Sequence, residues 1–240
     1  MHSLTIGMMQ TAAEQTPERI WGYRSLGEMI LNRTDLSFNF GRGMVEAYDM
    51  GIELGGKFNP QGSAYYSLAA TNGTITVAKS DKIKKYSVVI GFLPDKWSAL
   101  EAYVDYENFL LGRSAITGKI FYGMGTKSYA FGLEVFYRMN RKFVTITGAD
   151  ITPAGASLFT WFEMTQGLRG VLRVDGADND LKTSNAGYRE VDATVGLDIT
   201  AIPEVHIIPN VVYVKQMEKG NSPVIGDFIA GRLTMAVYFP

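Results

Sequence analysis

Apolar and polar residues alternate with a period of two along most of the chain. Successive side chains of a β-strand point to opposite faces, so this pattern predicts strands with one apolar and one polar face. From residue 190 onward, for example, Glu190, Asp192 and Asp198 share one face while Val191 and Val195 share the other. The alternation recurs in the segments 4–8, 48–57, 64–70, 86–92, 100–107, 120–124, 129–137, 158–164, 168–174, 189–199, 205–214 and 233–239.

Roughly 12 strands in a chain of 240 residues leave about 20 residues for each strand and its connection, so no helical layer fits. Connections alternate in length along the chain. Short ones fall at 59–61, 94–96, 125–126, 165–166 and 202–204, and longer ones at 11–47, 72–83, 140–155, 176–187 and 218–224, with 111–115 intermediate in length. We therefore predict an all-β fold, a single domain over residues 1–240 that forms a transmembrane antiparallel up-and-down β-barrel with short periplasmic turns and long external loops.

The parity of the strands supports this prediction, because both ends of the chain then lie at the periplasmic rim. The alternative is a soluble sandwich or lipocalin-like barrel, whose apolar faces would point inward around an apolar ligand. Aromatic residues near predicted strand ends favour the membrane, where such residues form interfacial girdles. They are Tyr48, Phe58, Phe92, Trp97, Tyr106, Phe109, Tyr129, Tyr137, Tyr213 and Phe239.

Composition narrows the possible functions. The chain has 23 basic and 24 acidic residues, so no basic surface predicts a nucleic-acid partner. It has no cysteine and only two histidines, which disfavours thiolate metal sites and most familiar enzyme classes. No apolar stretch is long enough for a transmembrane helix, and the N-terminus lacks the features of a signal peptide. We expect no catalytic residue, no cofactor and no metal.

An outer-membrane barrel with an enzymatic or a non-conducting structural role is a further alternative. His206 shares a strand face with Asn210, but no Gly-x-Ser-x-Gly motif accompanies it, so a structural role is favoured. The carboxylates Asp105 and Glu107, like Glu190 and Asp192, share a strand face as a glycosidase pair would, although a pore lining explains them as well.

Two N-terminal segments carry a family resemblance. The run LTIGMMQT at 4–11 and the run PERIWGYRS at 17–25 resemble the phosphate-selective porin family and related Gram-negative porins. The run IIPNVVY at 207–213 is similar to a late strand of that group, and RLTMAVYF at 232–239 to the closing strand of many outer-membrane barrels. Family members usually carry a signal peptide and further strands upstream, so the resemblance suggests a shortened or processed form. Their assembly signal ends on an aromatic residue, whereas Pro240 follows Phe239 here.

The resemblance implies an integral protein of the Gram-negative outer membrane that acts as a passive channel for small hydrophilic solutes or ions. It also implies contact with lipid and lipopolysaccharide, and a homotrimer. With about 12 strands the pore would be narrow. The predicted pore-lining residues are Lys57, Lys85, Glu101, Asp105, Glu107, Lys119, Glu134, Arg169, Arg173, Glu190, Asp192, Asp198 and Arg232. Because both signs of charge occur, we predict neither a strong ion bias nor phosphate specificity.

The long first connection, 11–47, either folds inward as a constriction or caps the outer rim, and sequence reasoning favours the cap. Its candidate constriction residues are Glu18, Arg19 and Arg24. Apolar residues at helical spacing also predict a short helix within 19–31.

Overall fold

A computed structural model describes residues 2–32, 44–73, 84–95, 97–143, 147–182, 188–220 and 226–238. It contains twelve strands and one α-helix among these residues. The strands are β1 (His2–Gln10), β2 (Tyr48–Lys57), β3 (Ala64–Thr71), β4 (Lys84–Phe92), β5 (Ser98–Asn108), β6 (Ser114–Gly125), β7 (Tyr129–Arg141), β8 (Ala154–Thr165), β9 (Leu168–Asp178), β10 (Tyr188–Ile202), β11 (Val205–Glu218) and β12 (Phe228–Val237). The helix α1 (Ala12–Trp21) follows β1, and a short 3₁₀ turn at Leu110–Gly112 follows β5.

Every strand pairs with its neighbours in sequence, and every pairing is antiparallel, so the sheet runs in the order β1 to β12. The predicted up-and-down architecture is confirmed. Short connections after β2, β4, β6, β8 and β10 lie at one rim, which we call the short-turn rim. The remaining connections lie at the opposite, long-loop rim.

The two faces of the sheet differ sharply in chemistry. On β5, Glu101, Tyr103 and Asp105 point inward and are buried, whereas Leu100 and Val104 point outward and are exposed. The same alternation of exposure follows β4, β7 and β10. An apolar exterior around a charged interior is the reverse of a lipocalin-like barrel, so the structure does not support the soluble alternative.

Exposed aromatic side chains form two bands on this apolar exterior. Tyr48, Tyr86, Tyr106, Tyr137 and Tyr213 lie toward the long-loop rim, and Phe58, Phe92, Trp97 and Tyr129 toward the short-turn rim. Such bands mark the two interfaces of a membrane. The predicted girdle residue Phe239 lies outside the described residues. No helix in the described part of the chain is both long and apolar enough to cross a membrane.

The helix of the first connection lies earlier than the sequence predicted. It covers Ala12–Trp21 rather than a segment within 19–31, because Gly22 adopts a left-handed conformation (φ 71°) and ends it. The Gly22 N–H donates to the Glu18 carbonyl at 2.8 Å, which closes the last turn. Good helix formers upstream, such as Ala12 and Ala13, outweigh the apolar spacing that indicated the later position.

Candidate pore and the loop that fills it

The described part of the first connection, residues 11–32 and 44–47, packs inside the barrel, and we call it the inner loop. Helix α1 contacts the strands β4 to β8. Near the start of α1, Ala13, Leu31 and Val45 of the inner loop join one apolar cluster with Tyr103 and Phe136 of the barrel wall. These side chains are almost completely buried. The inner loop therefore supplies an apolar core to a lumen that is otherwise lined by polar groups.

A second apolar cluster forms at the end of α1. Trp21 is 1% exposed, and its ring lies 4.9 Å from that of Phe159 and 5.4 Å from that of Tyr23. Phe121 and Ile208 of the wall belong to the same cluster. Tight packing of large rings against the wall fixes where α1 ends.

Pro17 explains why α1 accepts a hydrogen bond from a lysine of the barrel wall. Proline has no backbone N–H, so the carbonyl of Ala13, four residues earlier, has no helical donor. The ammonium group of Lys119 on β6 donates a hydrogen bond to that carbonyl instead. Lys119 is completely buried and also lies 3.8 Å from Glu134 and 4.0 Å from Glu101. The carbonyl group that Pro17 leaves without a helical donor thus attaches α1 to the barrel wall.

Further hydrogen bonds hold the inner loop to three other strands. The Tyr23 hydroxyl donates to Asp198 on β10 at 2.7 Å, and Asp198 also contacts His206 Nδ1 at 2.8 Å. On β7, Arg138 donates to the Met44 carbonyl. The Thr16 and Tyr65 hydroxyls lie 2.9 Å apart, which links α1 to β3. The inner loop is therefore attached on several sides of the lumen.

Glu14 is the least compensated charged group of the inner loop. It is fully buried, and neither carboxylate oxygen has a hydrogen-bond partner among the described residues. Its neighbours are Lys119, which favours the charged form, and Glu134 and Glu18, which disfavour it. The helix that carries Glu14 is not one of the membrane-spanning strands. Burial has the largest effect and raises the pKa of the Glu14 carboxyl to about 8.

Cavities lie beside α1 inside the barrel. One, of about 370 Å³, lies between α1 residues Ala12, Gln15 and Thr16 and the strands β1 to β5, and it reaches Lys57 near the short-turn rim. We call it the lower cavity. A smaller one, of about 10 Å³, adjoins it toward the long-loop rim and is lined by Asp49, among others. We call it the upper cavity. Because the upper cavity has room for about one water molecule, it is the narrow point of the space that the two cavities form.

A third cavity, of about 260 Å³, opens near the short-turn rim beside the last turn of α1. It is lined by Arg19 and Ile20 of α1 together with Trp97, Thr126 and Trp161. Most of its remaining lining comes from the ends of β4 to β7 and their connections. Arg19 is therefore the candidate constriction residue that lines a cavity.

Most of the predicted pore-lining residues lie on the inner face of the barrel. Those buried there are Lys85, Glu101, Asp105, Glu107, Lys119, Glu134, Arg173, Glu190, Asp192 and Asp198. Arg169 is half-buried, with its guanidinium 4.6 Å from the centre of the Trp161 ring. Lys57 and Arg232 are exposed near the short-turn rim and on β12. Their contact with a conducted solute stays a prediction.

Several of these charges neutralise each other. Lys85 lies 3.4 Å from Asp105, and Arg138 lies 3.4 Å from Glu107. Arg173 lies 2.9 Å from Asp175. The proposed glycosidase-like pair Asp105 and Glu107 is therefore held in ion pairs with the wall.

The other two candidate constriction residues have different neighbours from Arg19. Glu18 accepts hydrogen bonds of 2.6 Å from both Gln10 and Arg24. The Arg24 guanidinium lies 5.5 Å from the centre of the Tyr48 ring, near the long-loop ends of β1 and β2. Glu18 and Arg24 thus form a local ion pair.

Sequence reasoning missed two inward carboxylates on β2, Asp49 and Glu53. Asp49 accepts hydrogen bonds from the backbone N–H groups of Met50 at 2.7 Å and Gly73 at 3.0 Å. Glu53 lines both the upper and the lower cavity. The signal was present, because the polar face of β2 includes both residues along with Lys57, yet only Lys57 was selected.

Comparison with solved structures identifies the architecture. Outer-membrane expressed OmpT of Vibrio cholerae superimposes with a TM-score of 0.66 at 10% identity, over 99% of this chain and 77% of that one. An anion-selective porin from Comamonas acidovorans gives 0.67 at 10% identity, over 98% and 71%. The chain shares the fold of outer-membrane β-barrels. A trimer form of the Vibrio cholerae OmpT gives 0.62 at 9% identity, over 98% and 74%.

No protein-family model matches the chain, and no curated protein matches it. The fold therefore rests on the structural likeness, and on an exterior and interior that suit a membrane barrel.

Proposed function

We propose that this protein is an integral channel of the Gram-negative outer membrane that lets small hydrophilic solutes or ions diffuse passively. The observation that carries the proposal is the lower cavity, a space of about 370 Å³ lined in part by Glu53, Lys57 and Glu101, inside a barrel whose exterior is apolar. Charged groups at a constriction bias which ions pass, and such groups line this interior.

The inner loop is the proposed constriction. It occupies the lumen and leaves a passage that narrows to the upper cavity beside Ala12. Glu18, Arg19 and Arg24 were the candidate constriction residues, and Arg19 lines the third cavity. A pore of this kind passes ions and very small solutes and excludes larger ones.

The surroundings of the barrel follow from the same proposal. The apolar belt would contact lipid, with lipopolysaccharide in the outer leaflet, and the short-turn rim would face the periplasm. A homotrimer is proposed because one similar solved structure is described as a trimer form. On the basis of the N-terminal resemblance, we propose that the chain belongs to the phosphate-selective porin family or its relatives. Phosphate specificity is not part of the proposal, since Lys119 and Arg173 lie beside carboxylates.

A liposome-swelling assay tests the function. Protein whose folding is confirmed by heat-dependent gel mobility is reconstituted into vesicles that contain an impermeant polymer, and these are moved into isotonic salt or isotonic sugars of increasing size. We expect fast swelling in potassium chloride and progressively slower swelling with larger sugars, and none with heat-denatured protein. Folded, inserted protein that produces no swelling in any solute would contradict a channel.

A further inference from the structure

We infer that Glu53 makes the proposed channel prefer cations, along a path between α1 and the strands β1 to β4. This inference rests on the proposed function and adds to it the route and the sign of the conducted ion.

The route follows from the two adjoining cavities. The upper cavity begins among the long-loop ends of the first four strands, where Gln10, Thr71 and Lys85 line it. The lower cavity continues to His2 and Lys57 near the short-turn rim. Ala12 and Glu53 line both, so the narrow point lies between these two residues. An ion that follows this route passes the Glu53 carboxylate.

One face of α1 forms the other side of the path. Ala12, Gln15 and Thr16 line the lower cavity, and these positions are three and four residues apart, on one side of a helix. These three side chains carry no formal charge. Arg19, three residues beyond Thr16 on the same side of the helix, lines the third cavity and not the narrow point. At the narrow point the wall strands therefore set the electrostatic character of the path.

The charges of those strands favour cations. Across the two cavities, the lining includes the acids Asp49, Glu53 and Glu101 and the lysines Lys57 and Lys85. Lys85 lies 3.4 Å from Asp105, and Glu101 lies 4.0 Å from Lys119, so the charges of Lys85 and Glu101 are both offset. At the narrow point itself, the uncompensated charge is negative.

Glu53 differs from the other acids of the path because it makes no ion pair or hydrogen bond with the described residues. Asp49 is held by two backbone N–H groups, and Glu101 accepts a hydrogen bond of 2.6 Å from Tyr65. Glu53 is only half-buried and keeps its acceptor capacity for a passing ion. Carboxylates in a narrow polar passage attract cations and repel anions.

The test is the ratio of potassium to chloride permeability, obtained from the reversal potential in a planar bilayer under a potassium chloride gradient. A unit charge about 4 Å from an ion in water changes the local ion concentration roughly fivefold. Because the same charge attracts potassium and repels chloride, the ratio changes by about the square of that factor, roughly 25-fold. We expect the unmodified channel to favour potassium, Glu53→Gln to lower the ratio by about that much at low ionic strength, and Glu53→Lys to favour chloride.

Glu163→Gln is the matched control, since it removes the same charge from an exposed position at the end of β8, and Glu163 does not line either cavity of the path. We expect its permeability ratio to be unchanged. A conducting channel that favours chloride, or equal effects of Glu53→Gln and Glu163→Gln, would overturn the inference and leave the channel function standing. Absence of conductance in folded protein would instead overturn the function, and the inference with it.

Cysteine labelling gives a second readout that does not depend on the charge of the variant. The chain contains no cysteine, so Glu53→Cys introduces a single thiol. A small cationic thiol reagent added during recording should reduce the potassium current of Glu53→Cys and leave that of Glu163→Cys, whose position is exposed, unchanged. Current through Glu53→Cys that the reagent does not alter would show that ions take another route.

Discussion

Trp21 is the side chain whose replacement should loosen the inner loop most. Its indole ring is 1% exposed and lies 4.9 Å from Phe159 and 5.4 Å from Tyr23, at the point where α1 ends. Trp21→Ala removes this anchor and leaves a cavity against the barrel wall. We therefore expect the inner loop to leave its packed position more often and the channel current to become larger and less steady.

The size of the effect follows from two opposing contributions. Replacing a buried tryptophan by alanine costs about 3–5 kcal/mol, through lost burial and the cavity left behind. Against this, Nε1 of Trp21 has no hydrogen-bond partner among the described residues, so its removal returns about 1 kcal/mol. A net loss of about 2–4 kcal/mol shifts the balance between packed and released loop by roughly 30-fold to nearly 1000-fold.

Trp21→Phe is the matched variant, because it keeps an aromatic ring against Phe159 and removes the unpartnered N–H. We expect it to cost less than about 2 kcal/mol. Single-channel recording measures open-channel conductance and noise, and limited proteolysis measures release of the inner loop. If Trp21→Ala is folded yet matches the unmodified channel in conductance, noise and cleavage, the ring does not hold the loop and the reasoning is refuted.

Three further predictions concern the belt, the charge and the wall. Val135 is 50% exposed on the lipid-facing side of β7. Val135→Lys should lower the free energy of unfolding of the barrel in lipid by about 2–4 kcal/mol, measured by urea unfolding. An unchanged urea midpoint would contradict a lipid-facing apolar belt. Because Glu14 has a pKa near 8 when the loop is packed, against 4.5 when it is released, the packed loop binds the extra proton between these values. Packing should thus weaken as pH rises from about 4.5 to about 8, with rising current noise, and Glu14→Gln should abolish that dependence; a dependence that persists would implicate another group. Gly132→Ala places a Cβ 2.1 Å from Phe159 and should cost about 1–3 kcal/mol with noise like that of Trp21→Ala, whereas a silent variant would show that the ring has room to move.

The barrel could be predicted from sequence because its signal is local. Each strand alternates with a period of two, as in β5, where Glu101 and Asp105 face inward and Leu100 and Val104 outward. Every strand shows this alternation because one of its faces contacts lipid and the other faces the polar interior. The lengths of the connections then fixed which strand ends share a rim.

The inner loop could not be predicted in the same way. Its position depends on contacts between residues far apart in the chain, such as Trp21 with Phe159 and Tyr23 with Asp198. Nothing in the local pattern distinguishes a loop that caps the rim from one that enters the lumen. Pro17 was the one usable indication in the sequence. A proline inside a helical segment leaves a carbonyl group without its helical donor, and a donor from outside the helix, here Lys119, can bind it.

Glu53 was missed for a different reason. Its face on β2 was recognised, but the role proposed for Glu53 comes from its place where the upper and lower cavities meet, without an ion pair or hydrogen bond to any described residue. That juxtaposition is set by the path of α1 through the lumen. Sequence alternation places a carboxylate inside the barrel without showing whether another side chain neutralises it, as Lys85 does for Asp105.

Single-channel conductance in symmetrical potassium chloride tests the central claim most directly. Folded protein is inserted into a planar bilayer and compared with a variant that lacks residues 12–32 of the inner loop. The account predicts discrete current steps for the full chain, and markedly larger steps once the loop is removed. Folded, inserted protein that is silent in both forms would contradict a channel, and equal steps in both would contradict the inner loop as its constriction.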